Sequence, residues 1–199
     1  MRYPPAHKQQ SSQRILQAAA RLFRRQGYSA TGVDAVMASA ELTAGAFYAH
    51  FRSKESLLAQ ALNTAFRESR QDWPEAIKDL RGRRWVREFA SFYLSSGHRD
   101  APDCGCPMPA LAPEIGRIGG ESRVVFEQHL RELLKIIRTK IGSTVSERRA
   151  ISAVAQCVGG LVLSRAVANP AFSEEILGAC RAAVVEVSTY TKQRHGVGR

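Results

Sequence analysis

Apolar residues in this chain recur at intervals of three and four and nowhere alternate, a pattern that admits helices and leaves no place for a half-buried strand. Ile15, Leu16, Ala19, Leu22 and Phe23 form the first stripe, after the polar start SSQ and before Gly27, a residue suited to end a helix. Thr31 is placed to cap a second, short helix with Val33, Val36 and Met37 inward. Thr43 is placed to cap a third, shorter still, that buries Phe47 and Phe51. Ser53 caps a fourth, with Leu57, Leu58, Ala61, Leu62, Ala65 and Phe66 on one face. Pro74 and the stretch KDLRGRR break the pattern, and Trp85, Phe89, Phe92 and Tyr93 resume it. After the loop SSGHRDAPDCGCPMP, a long helix runs from Phe126 through Leu130, Leu133, Leu134, Ile137 and Ile141. Another carries Ile151, Val154, Val158 and Val162 and is expected to end at Pro170, and Ser173 opens a last one that runs through Val187. The expectation is an all-α chain of roughly eight or nine helices.

Charge narrows the function classes. The 199 residues carry a net +11, an excess that points to a polyanionic partner. It is concentrated at one end: residues 1–54 hold eight Lys and Arg against two acids, whereas 55–199 hold 21 against 16. The first residues, MRYPPAHKQQSS, lack the apolar run of a signal peptide, and no later run is long enough to cross a membrane. The expectation is a cytoplasmic protein with no membrane partner, whose four cysteines rest as thiols.

The stretch TAGAFYAHFRSKESLL, residues 43–58, is the most informative. Two short helices joined by ASAEL have the proportions of a helix-turn-helix, in which the second helix enters the major groove and phosphate contacts set its register. Ala44, Gly45 and Ala46 have little side chain and let the backbone come close to the groove. Phe47 anchors from within. Tyr48 offers a hydroxyl on a rigid arm, and His50 and Lys54 reach phosphates from the helix end and the next helix start. The amides after Ser53 form a further anion site. Arg2 and Lys8 of the N-terminal arm could also touch DNA, whereas the arginines of the first helix (Arg14, Arg21, Arg24, Arg25) and the basic tail KQRHGVGR read as solvated surface.

RILQAAARLFRRQGYSATGVDAVMASAELTAGAFYAHFRSKESLL resembles the DNA-binding domain of the TetR (tetracycline-repressor) family of bacterial transcriptional regulators. The matching positions are Ala18, Leu22, Phe23, Gly27, Thr31, Val33, Ala40, Thr43, Phe47, Tyr48, His50, Phe51, Lys54, Glu55 and Leu57, within roughly residues 12–60. One position departs: Glu41 stands in the turn where the family usually has glycine, and a left-handed backbone there would strain a residue with a side chain.

The resemblance implies a homodimeric repressor, not an enzyme and without a cofactor, that binds a palindromic operator. It implies a helix-turn-helix domain at 1–54 and a helical ligand-binding and dimerisation domain at 55–199. Thr31, Thr43, Ala44, Gly45, Tyr48, His50 and Lys54 would meet double-stranded DNA. The last two long helices, about 147–168 and 173–190, would pair between subunits, with Gly159, Gly160, Ala166 and Ala179 allowing close approach. A small-molecule effector would sit among Phe89, Phe92, Tyr93, Cys106, Met108 and Phe126, with Trp85 and His129 nearby.

HRDAPDCGCPMPALAPEIGR is similar to a stretch in one subgroup of these regulators, where Gly-Cys-Pro follows His-Arg-Asp. Three readings of Cys106 stay open: a small residue where the loop meets the bundle, a reactive thiol with Cys104 as resolving partner, or a metal ligand with His98 and Cys104. Cys106, His98 and Asp100 also name the side chains of a cysteine nucleophile, but all three lie in one short loop.

Overall fold

In the computed structural model the backbone is described for residues 5–142 and 146–189, and side chains for 8–142 and 146–187. Arg2 and the tail KQRHGVGR lie outside these. Among the described residues the chain is all-α, with ten α-helices and one 3-10 helix. They are α1 (Pro5–Gln26), α2 (Val33–Ser39), the 3-10 helix (Ala44–Ala49), α3 (Lys54–Gln71), α4 (Glu75–Lys78), α5 (Gly82–Tyr93), α6 (Ser96–Asp100), α7 (Met108–Ile118), α8 (Gly120–Ile141), α9 (Glu147–Ala166) and α10 (Pro170–Thr189).

Two compact units divide the chain. One takes the residues up to Trp73 together with Ser96–Leu133, and the other takes Pro74–Ser95 and the residues from Leu134 on. In the first, α1 and α3 bury Ile15, Ala19, Phe23, Leu57, Leu58 and Leu62, while α2 and the 3-10 helix add Met37 and Phe47. In the second, Trp85, Leu94, Leu161 and Leu177 are the largest fully buried side chains. Each set is the stripe that a helical repeat puts on one face, and its burial is the main favourable term in folding.

Several boundaries differ from the sequence expectation. α1 begins at Pro5, ahead of SSQ, and buries Ser11 on its inner face. Thr31 is not the cap of α2, since Gly32 holds that position. The Thr31 hydroxyl instead donates back to the Gly27 carbonyl at 2.6 Å, and the residue is fully buried. Pro170 opens α10 rather than ending α9, as suits a residue with no N–H to lose in a first turn. Asn169 Oδ1 accepts the Phe172 N–H there. The Ser173 hydroxyl, one residue further on, donates to the Ser164 carbonyl at 2.7 Å. The short helices α4 and α6 leave no period in the sequence long enough to detect.

Candidate nucleic-acid interface

The segment between α2 and α3 is built around one buried ring. Phe47 is 1% exposed, stacks on Phe51 with centroids 5.8 Å apart, and meets the edge of Tyr48 at 5.1 Å. Around this anchor the backbone closes a 3-10 helix, with Ala46 N–H to the Thr43 carbonyl and His50 N–H to the Phe47 carbonyl. Thr43 stands at the N-cap, although its side chain makes no capping bond. Thr43, Ala44 and Gly45 face solvent, and a side chain at Gly45 would meet nothing within 4 Å. Tyr48 is 78% exposed, the most exposed large apolar residue among those described. Tyr48 thus stands out into solvent beside the small residues Ala44 and Gly45.

The turn that aims this helix closes as a Schellman motif. Glu41 N–H bonds to the Ala38 carbonyl and Leu42 N–H to the Met37 carbonyl, both at 2.9 Å. Such a turn requires one left-handed residue, and Glu41 supplies it at φ 56°, the one non-glycine with positive φ among the described residues. Its carboxylate does not stand alone: Arg14 Nη2 donates to it at 2.6 Å.

His50 and Lys54 flank the far end. His50 is half-buried, and its Nδ1 is buried without a hydrogen-bond partner among the described residues. Burial, and secondarily the Lys8 charge, lower its pKa, so near neutrality the ring is a neutral donor-acceptor rather than a fixed cation. Lys54 opens α3, whose N-terminus is capped as expected: Ser53 Oγ accepts the Ser56 N–H at 3.1 Å. The Lys54 ammonium lies over the Tyr28 ring, 4.2 Å from its centroid. Burial lowers its pKa, and Glu114 works against that.

Behind this surface are three residues that sequence reasoning missed or misread. Arg24 is not solvated surface, being only 3% exposed. Its Nε donates to the Ala20 carbonyl, one terminal nitrogen to the carbonyls of Cys104 (3.3 Å) and Gly105 (3.0 Å), and the other to Glu68 at 2.9 Å. Glu114 of α7 accepts the backbone N–H groups of Tyr28 (2.7 Å) and Ser29 (2.8 Å). Burial alone would raise its carboxyl, but the bonds from Ser29 and Tyr28 and the Arg117 charge outweigh that and hold it below the usual carboxylate range. Tyr28 follows the helix-ending Gly27 and tilts against Phe23 at 5.5 Å. A helical period marks which face a residue occupies, but not which distant carbonyl or N–H it meets.

The cysteine loop is ordered by the same arginine and by His98. The Cys106 N–H donates to His98 Nε2 at 3.0 Å, so a neutral His98 carries its proton on Nδ1. An added Cβ at Gly105 would come 2.2 Å from His98 Nε2, so a side chain there would push the His98 ring aside. Cys104 is exposed and Cys106 half-buried, both as thiols, while Arg99 pairs with Asp100 at 2.7 Å. Among the described residues no group of three or more His, Cys, Asp and Glu side chains could hold a metal ion.

The expected effector residues divide between the two compact units, with Phe89, Phe92 and Tyr93 in one and Cys106, Met108 and Phe126 in the other. Phe89 lines a small apolar cavity of about 10 Å³ with Trp85, Val86, Ile137, Ile141, Ala153, Cys157 and Val184. Its volume is about what one water needs. Phe92, Tyr93, Cys106, Met108 and Phe126 do not line it. Phe126, in the other compact unit, packs on Phe66 at 6.0 Å. His129 stacks on the same Phe66 at 4.4 Å and has both ring nitrogens engaged, by Arg70 and Asn63, each at 2.8 Å.

Residues 15–61 match the family model of bacterial regulatory proteins of the tetR family. The chain is 32% identical over 74 residues to the uncharacterized HTH-type transcriptional regulator YerO of Bacillus subtilis, a match that covers 37% of this chain and 26% of that protein. It is 29% identical over 170 residues to the HTH-type transcriptional regulator LmrA of the same bacterium, covering 80% and 88%. A TetR transcriptional regulator from Chloroflexus aurantiacus shares the fold, with a TM-score of 0.75 at 22% identity over 90% of this chain and 94% of that one. An exposed, small-residue recognition helix set by a Schellman turn defines a helix-turn-helix DNA-binding protein. Residues 15–61 are a DNA-binding domain of the tetR family of bacterial regulatory proteins, and the chain as a whole shares the fold of solved TetR regulators.

Proposed function

We propose that this protein is a homodimeric repressor that occupies a palindromic operator through residues 1–54 and is released by a small-molecule or thiol-reactive signal received in residues 55–199. One observation carries the reading: a buried Phe47 holds Thr43, Ala44, Gly45 and Tyr48 out to solvent, with His50 and Lys54 at the flank. Thr43, Ala44, Gly45 and Tyr48 face base edges; Tyr48, His50 and Lys54 fix phosphates. Thr31, fully buried and bonded to Gly27, serves DNA binding by holding the α1–α2 turn. A neutral His50 suits donation of one N–H to a phosphate oxygen.

Dimerisation is supported by an apolar stripe left exposed on α9, with Ile151, Val162 and Leu163, and by Phe172 on α10. Gly160 serves packing within the chain, because a Cβ there would meet Cys180 and Leu94 at 2.9 Å, whereas one at Gly159 would meet open space. Gly159, Ala166 and Ala179 therefore remain for the partner subunit. Two reading heads are needed because one short recognition helix gives too little affinity alone. The signal acts either on the exposed Cys104 and neighbouring Cys106, or by widening the Trp85–Phe89 cavity, which at about 10 Å³ has room for one water. A regulator that meets operator DNA works where that DNA is, in the cytoplasm; among the described residues no helix is long and apolar enough to cross a membrane.

The test is selection of duplexes from a random pool by the reduced protein, followed by titration of the enriched sequence across a salt series. A palindromic consensus is expected, bound more weakly by Lys54→Ala with a shallower salt dependence. Failure to enrich any sequence would defeat the reading.

A further inference from the structure

The Tyr28–Ser29 turn carries the ring that supports the Lys54 ammonium, and it is held by Glu114, a residue of α7 far along the chain. Both carboxylate oxygens are used, one on each backbone N–H, so the clasp fixes the turn in two directions rather than one. Gly27, at φ 86°, brings the turn that close: a Cβ there would lie 3.0 Å from Glu114 Oε2. Phe23 backs the Tyr28 ring on the inner side. A lysine has four rotatable bonds and loses rotamer freedom when it binds a phosphate, unless something already holds the stem and ammonium in place.

We propose that Glu114 is a positioning residue for DNA binding, which fixes the Tyr28 ring on which the Lys54 ammonium rests and so places Lys54 for a backbone phosphate. This rests on the reading of Lys54 as a phosphate contact. α7 begins at Met108, two residues after Cys106, and its N-cap is Pro107. The helix that carries the clasp therefore starts at the cysteine loop, and any signal that shifts α7 is transmitted to Lys54 without touching the recognition helix.

The experiment is a double-mutant cycle. Wild type, Glu114→Ala, Glu114→Gln, Lys54→Met and the double Glu114→Ala/Lys54→Met variant are titrated against a fluorescent random-sequence duplex over a salt series, with thermal melts beside each. Lys54→Met should flatten the salt slope by about 0.9, one phosphate's worth. Glu114→Ala should lose affinity and flatten the slope by up to that same amount. Glu114→Gln, which keeps one carbonyl acceptor, should fall between it and wild type. The double variant should bind like Lys54→Met alone. Additive losses with the wild-type slope retained in Glu114→Ala would reduce the clasp to fold support and overturn the proposal. A Lys54→Met variant indistinguishable from wild type would remove the phosphate contact and the proposal with it. Absence of DNA binding by the wild type would defeat the functional reading as a whole.

Discussion

In the compact unit that holds the recognition helix, long-range links are made by half-buried or buried ions: Arg24 gathers three carbonyls and a carboxylate, and Glu114 takes two backbone N–H groups. In the unit that holds α9 and α10, the links are mostly apolar. Leu161, Leu177 and Val184 are buried, Gly160 leaves room for Cys180 and Leu94, and solvent is met by Ile151, Val162, Leu163 and Phe172. Hydrogen bonds to ions are directional and fix angles, whereas apolar packing fixes proximity and leaves a surface that can be shared. On the proposed function, the surface that registers on phosphates uses the first kind and the one that meets a second copy uses the second.

Arginine removal probes this contrast most strongly. Arg24→Met should cost about 3 kcal/mol, because a side chain that is 1% exposed leaves two carbonyls and Glu68 without their donor. Glu68 is 29% exposed and regains some water, which keeps the loss from being larger. In the other unit, Arg181 donates to the Leu94 carbonyl at 2.7 Å and pairs with Glu174 at 3.1 Å, but its side chain is one-third exposed. Arg181→Met should cost about 1 kcal/mol or less. Chemical denaturation of the two variants measures both. Equal losses would mean that the second unit depends on directional contacts as much as the first.

A charge on the apolar stripe comes next. Leu163→Glu should weaken self-association by roughly tenfold or more, because a two-fold interface meets the substituted residue twice. The melting of the isolated subunit should hardly move, since Leu163 is 56% exposed. Sedimentation over a concentration series reads the first and calorimetry at high dilution the second. A drop in subunit stability without dissociation would make the stripe part of the fold rather than an association surface.

The same contrast explains what could be read from the chain. The all-α class, the anchor Phe47 and the cap Ser53 are legible, because period and capping chemistry are local. The turn at Glu41 is flagged only by the family resemblance, which leaves open whether it is left-handed. Arg24 is not legible. It stands among Arg14, Arg21 and Arg25 on what looks like a polar face, and only the return of residues 104–105 makes that position an interior one. Glu114 is hidden for the same reason, as a lone acid in PALAPEIGR whose partners are more than eighty residues earlier. The place of Thr31 before an apolar run suggests a forward cap, whereas its hydroxyl turns back to Gly27, a choice of rotamer that sequence order leaves open. Aromatic character marks Phe89, Phe92, Tyr93 and Phe126 as candidate effector residues, but a bundle helix carries aromatics whether or not a ligand meets them.

Glu41 gives the smallest and most discriminating test. Its left-handed backbone costs about 1–2 kcal/mol for a residue with a Cβ. Glycine removes that strain but adds about 0.5–1 kcal/mol of chain entropy to be lost on folding. The Arg14 pair, with side chains 40% and 86% exposed, is worth at most a few tenths. Glu41→Gly should therefore stabilise the protein by about 0.5 kcal/mol, and it should bind every duplex slightly more tightly because a negative charge leaves the DNA-facing turn. Glu41→Gln separates the two effects: it keeps the strained backbone and removes the charge, so affinity should rise while the denaturation midpoint stays near that of wild type. If Glu41→Gly were instead the less stable protein, the Arg14 contact would outweigh the strain. Even an exposed ion pair would then be setting the angle of the recognition helix, and the directional character of the first unit would extend to its surface.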